Sequence, residues 1–195
     1  KERIKEFDII VLSDYMKGLL VFDFTRKILE LAREQNVRVI VDVKDANASK
    51  YKDAYLLKPN KRELHLLTLM PVNTEKEVRK ATEYLCQLCS SQYVLTTCGA
   101  EGMILVSKEG EYKKIKTAAK EVYDVTGAGD TVAAYLAMCI ANNMSIEQAM
   151  MISNYAAGIQ VSKVGTSGVD YTEVASVIEE AFATKFYLHK YIEKE

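Results

Sequence analysis

The hydrophobic positions of the chain fall into short apolar runs separated by longer stretches of helical periodicity. Residues 8–13 form an apolar run without polar alternation, which predicts a strand buried on both faces, as in a parallel sheet. Further strands are predicted at residues 37–42, 54–57, 93–97, 102–106 and 111–115. The last two are joined by Lys108-Glu109-Gly110 and are expected to form a hairpin.

Between and after these strands, apolar residues recur at the spacing of an amphipathic helix. In residues 24–35 the inner face holds Ile28, Leu29, Leu31 and Ala32. Other helices are predicted at residues 61–69, 75–88, 128–141, 145–163 and 171–183, with a charged helix at 186–195. The alternation of strands and helices predicts an α/β fold, with right-handed crossovers and a mainly parallel sheet covered on both sides.

The composition is that of a packed protein and argues against several classes. The chain has 195 residues, of which 49% are hydrophobic and 27% charged, so a buried core is expected. Basic and acidic residues nearly balance, 26 against 27, which argues against a surface that binds nucleic acid. No apolar run approaches the length of a bilayer span and residues 1–6 are charged, so neither a membrane segment nor a signal peptide is expected.

Two of the four cysteines raise the question of a zinc site. Cys86 and Cys89 have the spacing of half such a site. No second pair follows at zinc-finger spacing, and the two histidines, His65 and His189, are isolated. In the predicted helix over residues 75–88, the three-residue step puts both thiols on the buried face. Core cysteines of a reduced, cytoplasmic protein are therefore the expected interpretation.

Polar residues gather where the predicted strands end. Asp14, Asp42, Asn60 and residues 97–99 each lie at the end of a strand, and residues 124–130 form the turn before a helix. Ligands of open α/β sheets bind at the carboxyl ends of the strands. The sequence therefore predicts one ligand site at this edge of the sheet.

The strongest single motif is D-V-T-G-A-G-D-T at residues 124–131. Small residues at 127–129 let a ligand approach the backbone closely. Their N–H groups open a helix, so unpaired donors and the positive end of the helix dipole suit a phosphate and the charge of phosphoryl transfer. Asp130, in the first turn, can accept the proton of an attacking hydroxyl. The alternative is a helix start in which Asp130 and Thr131 only complement the dipole.

This motif resembles the signature of the ribokinase-like carbohydrate kinases, the PfkB family. The resemblance implies a three-layer αβα fold and an ATP-dependent sugar kinase in which Asp130 is the catalytic base. It implies an anion hole formed by the backbone of Gly127, Ala128 and Gly129. It also implies K⁺ as a monovalent cation near Asp124 and Thr126, with backbone help around Gly165.

Other segments match the family in the same order along the chain. Asn60-Lys61-Arg62-Glu63 fits its N-x-x-E motif. The resemblance implies that these residues contact ATP and that Asn60 and Glu63 organise Mg²⁺ together with its waters. A capping box, with Asn60 as N-cap and Glu63 at the third helical position, is the alternative, and both can hold together.

Two later segments fit the nucleotide site of the family. Residues 97–102 match its T-x-G-x-x-G loop along the phosphates, with Thr97, Gly99 and Gly102 as ATP contacts, although a hairpin lead-in would also explain them. Residues 154–158 and 165–168 match the segments that border adenine, which adds Asn154 and Gly158 to the ATP contacts. Close helix packing is the alternative for the small residues there.

A narrower resemblance comes from residues 13–18, S-D-Y-M-K-G, which are similar to the D-Y-x-K-G of heptose 7-phosphate kinases in ADP-heptose and lipopolysaccharide synthesis. Residues 41–44 resemble their V-D-P-K, although Val43 replaces the usual proline. This implies phosphorylation of the anomeric hydroxyl of D-glycero-D-manno-heptose 7-phosphate. The implied substrate contacts are Asp14, Lys17 and Lys44. For the two lysines, a solvated surface position is the alternative.

The resemblance covers nearly the whole chain but not the whole family fold. The N-terminal strands and the β-lid of these kinases are expected to be absent, so residues 1–195 are interpreted as the C-terminal, catalytic and ATP-binding part of one kinase domain. Apolar surface at the missing edge is expected to be exposed unless a second chain covers it, and a homodimer stays open. Two alternatives also stay open: another ribokinase-like sugar or nucleoside kinase, and a non-catalytic nucleotide-binding subunit.

Overall fold

The structure alternates strands and helices along most of the chain. It is a computed structural model that describes residues 3–165 and 167–192. The strands are β1 (Ile9–Ser13), β2 (Arg38–Asp42), β3 (Leu56–Lys58), β4 (Tyr93–Thr97), β5 (Met103–Ser107) and β6 (Tyr112–Ile115). The α-helices are α1 (Phe22–Glu34), α2 (Lys61–Thr68), α3 (Glu75–Cys89), α4 (Ala128–Ala141), α5 (Ile146–Val161) and α6 (Tyr171–Ile192). Single 3₁₀ turns lie at Ile4–Glu6, Ala48–Tyr51 and Gly99–Glu101.

The strands form one sheet in chain order from β1 to β6. Strands β1 to β4 are parallel, while β5 and β6 continue the sheet as the predicted antiparallel hairpin. In this register Ser13 lies beside Asp42, and Asp42 lies beside Lys58. The polar strand ends therefore meet at one edge, and the predicted mainly parallel α/β fold is confirmed.

Helices cover both faces of the sheet, which gives three layers. One core packs α1, α2 and α3 against the sheet and includes Leu64 and Leu85. The other packs α4 and α5 against the opposite face and includes Leu136. Strand β2 contributes to both, because Val41 faces the first core and Ile40 the second. The apolar residues Val39, Ile40 and Val41 of β2 are thus explained by burial on both faces of the strand.

Three of the helices begin at capping boxes. The side chains of Asn60, Thr74 and Ser145 accept a hydrogen bond from the third helical N–H of α2, α3 and α5. A Glu or Gln at that third position accepts from the N-cap N–H in return. Each such cap stabilises its helix by about 1 kcal/mol, which explains why these helices begin where they do.

Strand β1 departs from its prediction of burial on both faces. It lies at the edge of the sheet, and Leu12 is its one buried residue. Val11 is 39% exposed, because no strand in the described part of the chain pairs with the outer side of β1. The expectation of exposed apolar surface is confirmed here, since Phe22 and Phe24 at the start of α1 are also exposed.

The end of the chain differs from its prediction as well. Two helices were expected, at 171–183 and 186–195, whereas α6 runs without a break from Tyr171 to Ile192. Neither glycine nor proline interrupts this stretch, so nothing in the sequence ends the helix early. Residues 193–195 lie outside the described residues. No helix in the described part of the chain is both long and apolar enough to cross a membrane.

The cysteine pair lies in the core below α3, as predicted. Cys86 and Cys89 both belong to the core on that face of the sheet. Burial raises the pKa of Cys86 to about 11 and that of Cys89 to about 12, so both thiols stay protonated at neutral pH. Within residues 3–165 and 167–192, no three His, Cys, Asp or Glu side chains gather as a metal site.

The hairpin begins at a glycine that is held close to another backbone segment. Gly102 has φ 92° and ψ −132°, a conformation open almost only to glycine. A Cβ at this position would lie 2.0 Å from the carbonyl oxygen of Ile115 and 2.7 Å from the nitrogen of Thr117. Gly110, at the hairpin tip, has a similar φ of 88° but nothing within 4 Å of a built Cβ.

These two glycines give a matched test of the close approach. Gly102→Ala is expected to lower the free energy of unfolding by about 3 kcal/mol or more, because a backbone clash adds to the strain of positive φ. Gly110→Ala carries only the strain and should cost about 1 kcal/mol. Urea unfolding of the two variants measures the difference, and equal losses would contradict the close packing of Gly102 on residues 115–117.

Candidate active site

A cavity opens at the carboxyl edge of the sheet. Its volume is about 540 Å³, a size typical of small-molecule sites. The walls come from the ends of β2, β3 and β4, the segment after β6, the start of α4 and one side of α5. Nine of the residues predicted for the site line it: Lys44, Asn60, Thr97, Gly99, Gly102, Ala128, Gly129, Asn154 and Gly158.

The turn before α4 brings backbone donors to this cavity. Gly127 is the N-cap of α4 and adopts the left-handed conformation, with φ 81°, that glycine accepts at no steric cost. Ala128 and Gly129 then open the helix at the cavity wall. Among the described residues, no acceptor takes a hydrogen bond from the N–H of Gly129 or Asp130. Free donors at the positive end of a helix make this turn suited to an anion.

Gln160 holds the turn from the side of α5. Its buried amide nitrogen donates to the carbonyl oxygens of Thr126, at 3.3 Å, and Gly165, at 3.4 Å. Asp124 accepts from the Thr126 N–H at 2.8 Å. Hydrogen bonds from Thr126, and then from the Gly165 backbone, hold the pKa of Asp124 below its ordinary value. The predicted cation segment is thus one connected turn, while Thr166 next to it lies outside the described residues.

Asp130 follows directly in the first turn of α4, where it is exposed. Its Oδ1 accepts a hydrogen bond from the Tyr15 hydroxyl at 2.9 Å. No other donor in the described part of the chain reaches the carboxylate. An exposed carboxylate beside free backbone donors can take a proton from a hydroxyl that attacks a phosphate held there.

A buried lysine stands beside the same turn, and sequence reasoning missed it. Lys58, at the end of β3, is 2% exposed and lines the cavity. Its Nζ lies 2.7 Å from Asp42 Oδ1, but the pair is not aligned as a hydrogen bond, and Asp42 Oδ1 has no other partner among the described residues. A Cβ on Gly129 would lie 3.5 Å from the same Nζ. The ammonium group therefore puts a positive charge next to the turn before α4.

Asn60 and Glu63 form the capping box of α2, so the alternative interpretation of this motif is present in the structure. Glu63 Oε2 accepts from the Asn60 N–H at 2.7 Å, and its Oε1 accepts from Lys44 Nζ at 2.6 Å. Lys44 Nζ also lies 3.6 Å from Asp42 Oδ2. Burial lowers the pKa of Lys44, but Glu63 and Asp42 outweigh this effect and raise it. Lys44 is thus an ion-paired wall residue, not an isolated surface charge.

The remaining predicted ATP residues divide between the cavity wall and the surface. Asn154 donates to the Lys116 carbonyl oxygen at 2.9 Å, which holds the segment after β6 against α5. A Cβ on Gly158 would lie 3.0 Å from the Ala119 nitrogen, so a small residue is needed there. Lys61 pairs with Glu101 at 3.0 Å, and the side chain of Arg62 is exposed.

The three predicted substrate residues differ in their surroundings. Asp14 is buried, and its Oδ2 accepts from Lys50 Nζ at 2.6 Å and from the Tyr51 hydroxyl at 2.9 Å. Its Oδ1 accepts from the Met16 N–H at 2.9 Å. The Asp14 carboxylate therefore anchors the 14–16 turn. Lys17 is exposed in the loop that follows.

Burial alone would raise the pKa of Asp14, but the donors Lys50, Met16 and Tyr51 outweigh it and leave this pKa below its ordinary value. The contribution of Asp14 to stability is therefore present above the unfolded pKa of about 4 and is lost as the pH falls through the lowered value. The pKa of Lys50 is raised in turn: burial lowers it, and Asp14 and Asp45 more than offset that. The contribution of the Lys50 ammonium to stability is therefore lost only as the pH rises above about 10.

Bacterial relatives resemble the chain over most of its length. The bifunctional protein HldE of Aliarcobacter butzleri (strain RM4018) is 35% identical over 190 residues, which cover 97% of this chain and 38% of the relative. HldE of Gluconacetobacter diazotrophicus is 38% identical, over 86% of the chain and 34% of the relative. HldE of Helicobacter pylori (strain HPAG1) is 35% identical, over 98% and 41%. The chain thus spans less than half the length of these curated relatives.

Solved structures share the fold. Arabidopsis thaliana ribokinase, complexed with ribose and ATP, matches 90% of this chain and 57% of its own, with a TM-score of 0.80 and 24% identity. Escherichia coli phosphofructokinase-2, in complex with potassium, has a TM-score of 0.79, 21% identity and coverages of 90% and 59%. Ribokinase from Thermotoga maritima has a TM-score of 0.73, 26% identity and coverages of 91% and 59%. The three-layer ribokinase-like fold is thereby confirmed.

The buried anchor of the 14–16 turn provides a stability test. Lys50→Met is expected to lower the free energy of unfolding by about 3–5 kcal/mol at pH 7, because it leaves the Asp14 carboxylate buried and unpaired. Adding Asp14→Asn should recover a large part of this loss, since no buried charge then remains. Lys52→Met, two residues away at an exposed position, is the control and should change stability little. Urea unfolding that shows equal losses for Lys50→Met and Lys52→Met would refute the anchor.

The family of the chain is shown by a match to a family model, and the matched residues include nearly every segment of the candidate site. A model of the pfkB family of carbohydrate kinases matches residues 1–172. That span holds the strand ends, the 60–63 capping box, the turn before α4 and the wall of α5. The chain belongs to the pfkB family of carbohydrate kinases.

Proposed function

We propose that the protein containing this chain is an ATP-dependent sugar kinase acting on D-glycero-D-manno-heptose 7-phosphate, with Asp130 as the catalytic base. One observation carries the proposal: Asp130 directly follows Gly129, which lies at the wall of a nucleotide-sized cavity with a free N–H and next to the buried ammonium of Lys58. Phosphoryl transfer requires a group that accepts the proton and a site that binds the phosphate. Positioning and charge stabilisation supply most of its catalysis.

In this proposal ATP lies in the cavity, with its phosphates toward α4. The N–H groups of Gly129 and Asp130 and the ammonium of Lys58 receive the γ-phosphate, while Gly127 gives the turn its shape. The loop of Thr97, Gly99 and Gly102 borders the phosphates. Apolar side chains such as Val122 and Val161, together with Gly158, offer an adenine ring a flat surface.

Mg²⁺ is expected with the nucleotide, and the candidate ligands are Asn60 and Glu63. Both carboxylate oxygens of Glu63 already take hydrogen bonds, from Asn60 and Lys44. The pair Asn60 and Glu63 therefore suits an ion that keeps its waters, as Mg²⁺ does, better than direct ligation. When bound, Mg²⁺ would neutralise phosphate charge. The oxygens of Asp124 and Thr126 are hard donors that suit a monovalent cation such as K⁺.

The chemical step follows from the position of Asp130. Its carboxylate accepts the proton of the sugar hydroxyl as that oxygen attacks the γ-phosphorus in line. The bond between the γ-phosphorus and its bridging oxygen breaks, and ADP leaves with that oxygen. Lys58 and the first turn of α4 stabilise the charge that builds up on the transferred phosphoryl group.

The sugar is the part of the proposal that rests on resemblance. Residues 13–18 are similar to the D-Y-x-K-G of heptose 7-phosphate kinases, and they lie at the end of β1, on the edge that holds the cavity. Lys17 is exposed there and suits the 7-phosphate as a point charge. We place the enzyme in the cytoplasm, where ATP is available and where its four free cysteines stay reduced.

A panel of sugar phosphates tests the substrate. The full-length gene product is expected to consume ATP with heptose 7-phosphate at a kcat/KM at least about tenfold above those for fructose 6-phosphate, ribose and a nucleoside. ADP release coupled to a dehydrogenase measures the rate. Preference for another sugar would keep the kinase and replace its substrate, while ATP binding without turnover would favour a nucleotide-binding subunit.

Asp130→Asn tests the catalytic base. It should lower kcat by about 10²–10⁴-fold, because the amide cannot accept the proton, while ATP binding measured by calorimetry is retained. Asp23→Asn is the matched control, since Asp23 is an exposed carboxylate in the first turn of α1, away from the cavity. A wild-type kcat for Asp130→Asn would remove Asp130 from the role of base.

A further inference from the structure

Tyr15 and Asp130 meet at the carboxyl edge of the sheet although 115 residues separate them. The Tyr15 hydroxyl donates to Asp130 Oδ1 at 2.9 Å. The tyrosine is 57% exposed, so burial of its ring does not explain its position. The bond to the carboxylate is the one polar side-chain contact that Tyr15 makes in the described part of the chain.

The backbone that carries Tyr15 is fixed from below by the buried carboxylate of Asp14. Met16 is held in the left-handed conformation, with φ 53°, and its N–H donates to Asp14 Oδ1. A methionine adopts this conformation at a cost, so a neighbouring interaction has to maintain it. The hydrogen bond to Asp14 maintains it, and Lys50 and Tyr51 fix Asp14 in turn by donating to its Oδ2. The direction of Tyr15 is therefore set by a rigid, buried support.

Other charged groups surround the start of α4 without bonding to Asp130. Lys58 Nζ lies near Gly129 and pairs with Asp42. Asp124 takes its hydrogen bond from Thr126, in the turn before the helix. Within residues 3–165 and 167–192, Tyr15 is thus the one donor that fixes the Asp130 carboxylate, and Oδ2 is left without a bonded donor.

We propose that Tyr15 is a positioning residue for the base: its hydroxyl holds Asp130 Oδ1, which turns Oδ2 toward the sugar hydroxyl. The inference rests on the proposed kinase function. In the reaction, the proton of the sugar hydroxyl passes to Oδ2, the sugar oxygen bonds to the γ-phosphorus, and the bond from that phosphorus to ADP breaks. Tyr15 keeps its own proton throughout and acts through Asp130 alone.

Tyr15→Phe in the full-length gene product tests the role. The kcat is expected to fall about tenfold while the KM for ATP stays unchanged, because one hydrogen bond to a charged group is lost and the nucleotide site is untouched. Tyr112→Phe is the matched control. The Tyr112 hydroxyl also donates to a carboxylate at 2.9 Å, that of Glu75, but on the hairpin and α3. It should leave kcat at the wild-type value.

A double-mutant cycle then separates an action through Asp130 from any other effect. In an Asp130→Ala background, Tyr15→Phe is expected to cause no further loss of kcat. An unchanged kcat for Tyr15→Phe alone, a further tenfold loss in that background, or an equal loss for Tyr112→Phe would overturn the positioning role and leave Asp130 as the base. A wild-type kcat for Asp130→Ala would overturn the proposed base itself, and the role of Tyr15 with it.

Discussion

The register of the parallel strands is the constraint on which the rest of the structure depends. It places Ser13, Asp42 and Lys58 side by side at the ends of β1, β2 and β3. Asp42 and Lys58 are both buried there and stabilise each other at 2.7 Å, while Lys44 provides a second, more distant positive charge for Asp42. A slip of β3 by one residue would turn Lys58 to the other face of the sheet and remove the closer of the two lysines that pair with Asp42. The same register thus secures both the core and the positive charge beside the turn before α4.

Most of the fold could be predicted from the spacing of apolar residues, because this spacing reflects which side chains are buried. Helix α4 begins at Ala128 and ends at Ala141 as predicted, since an apolar periodicity starts directly after the glycine-rich turn. Strand β2 has three successive apolar residues, Val39, Ile40 and Val41, and is covered on both faces. Strand β1 has the same pattern and yet lies at an edge, because an apolar run does not record which strand pairs with it.

Part of the candidate site could likewise be predicted from local sequence, and part depends on contacts between distant residues. Gly127 and Asp130 belong to one contiguous motif, so the sequence alone indicated their place. Lys58, Gln160 and Tyr15 could not be assigned a place in it, because their contacts join residues far apart in the chain. The one signal for Lys58 was a charged residue closing an apolar strand, a position that a surface lysine fills equally well. Its burial follows from Asp42, on the neighbouring strand.

The separation between Tyr15 and Asp130 bears on how the protein folds. Strands β1 to β4 can join in chain order, each closing a loop of modest length, and the layer of α1 to α3 can form with them. Helix α4 packs on the opposite face, so its first turn reaches Tyr15 only when that second layer docks across the sheet. A folding intermediate with a complete sheet and one helical layer would therefore contain no contact between Tyr15 and Asp130. Docking of the second layer is therefore the step that joins the two halves of the candidate site.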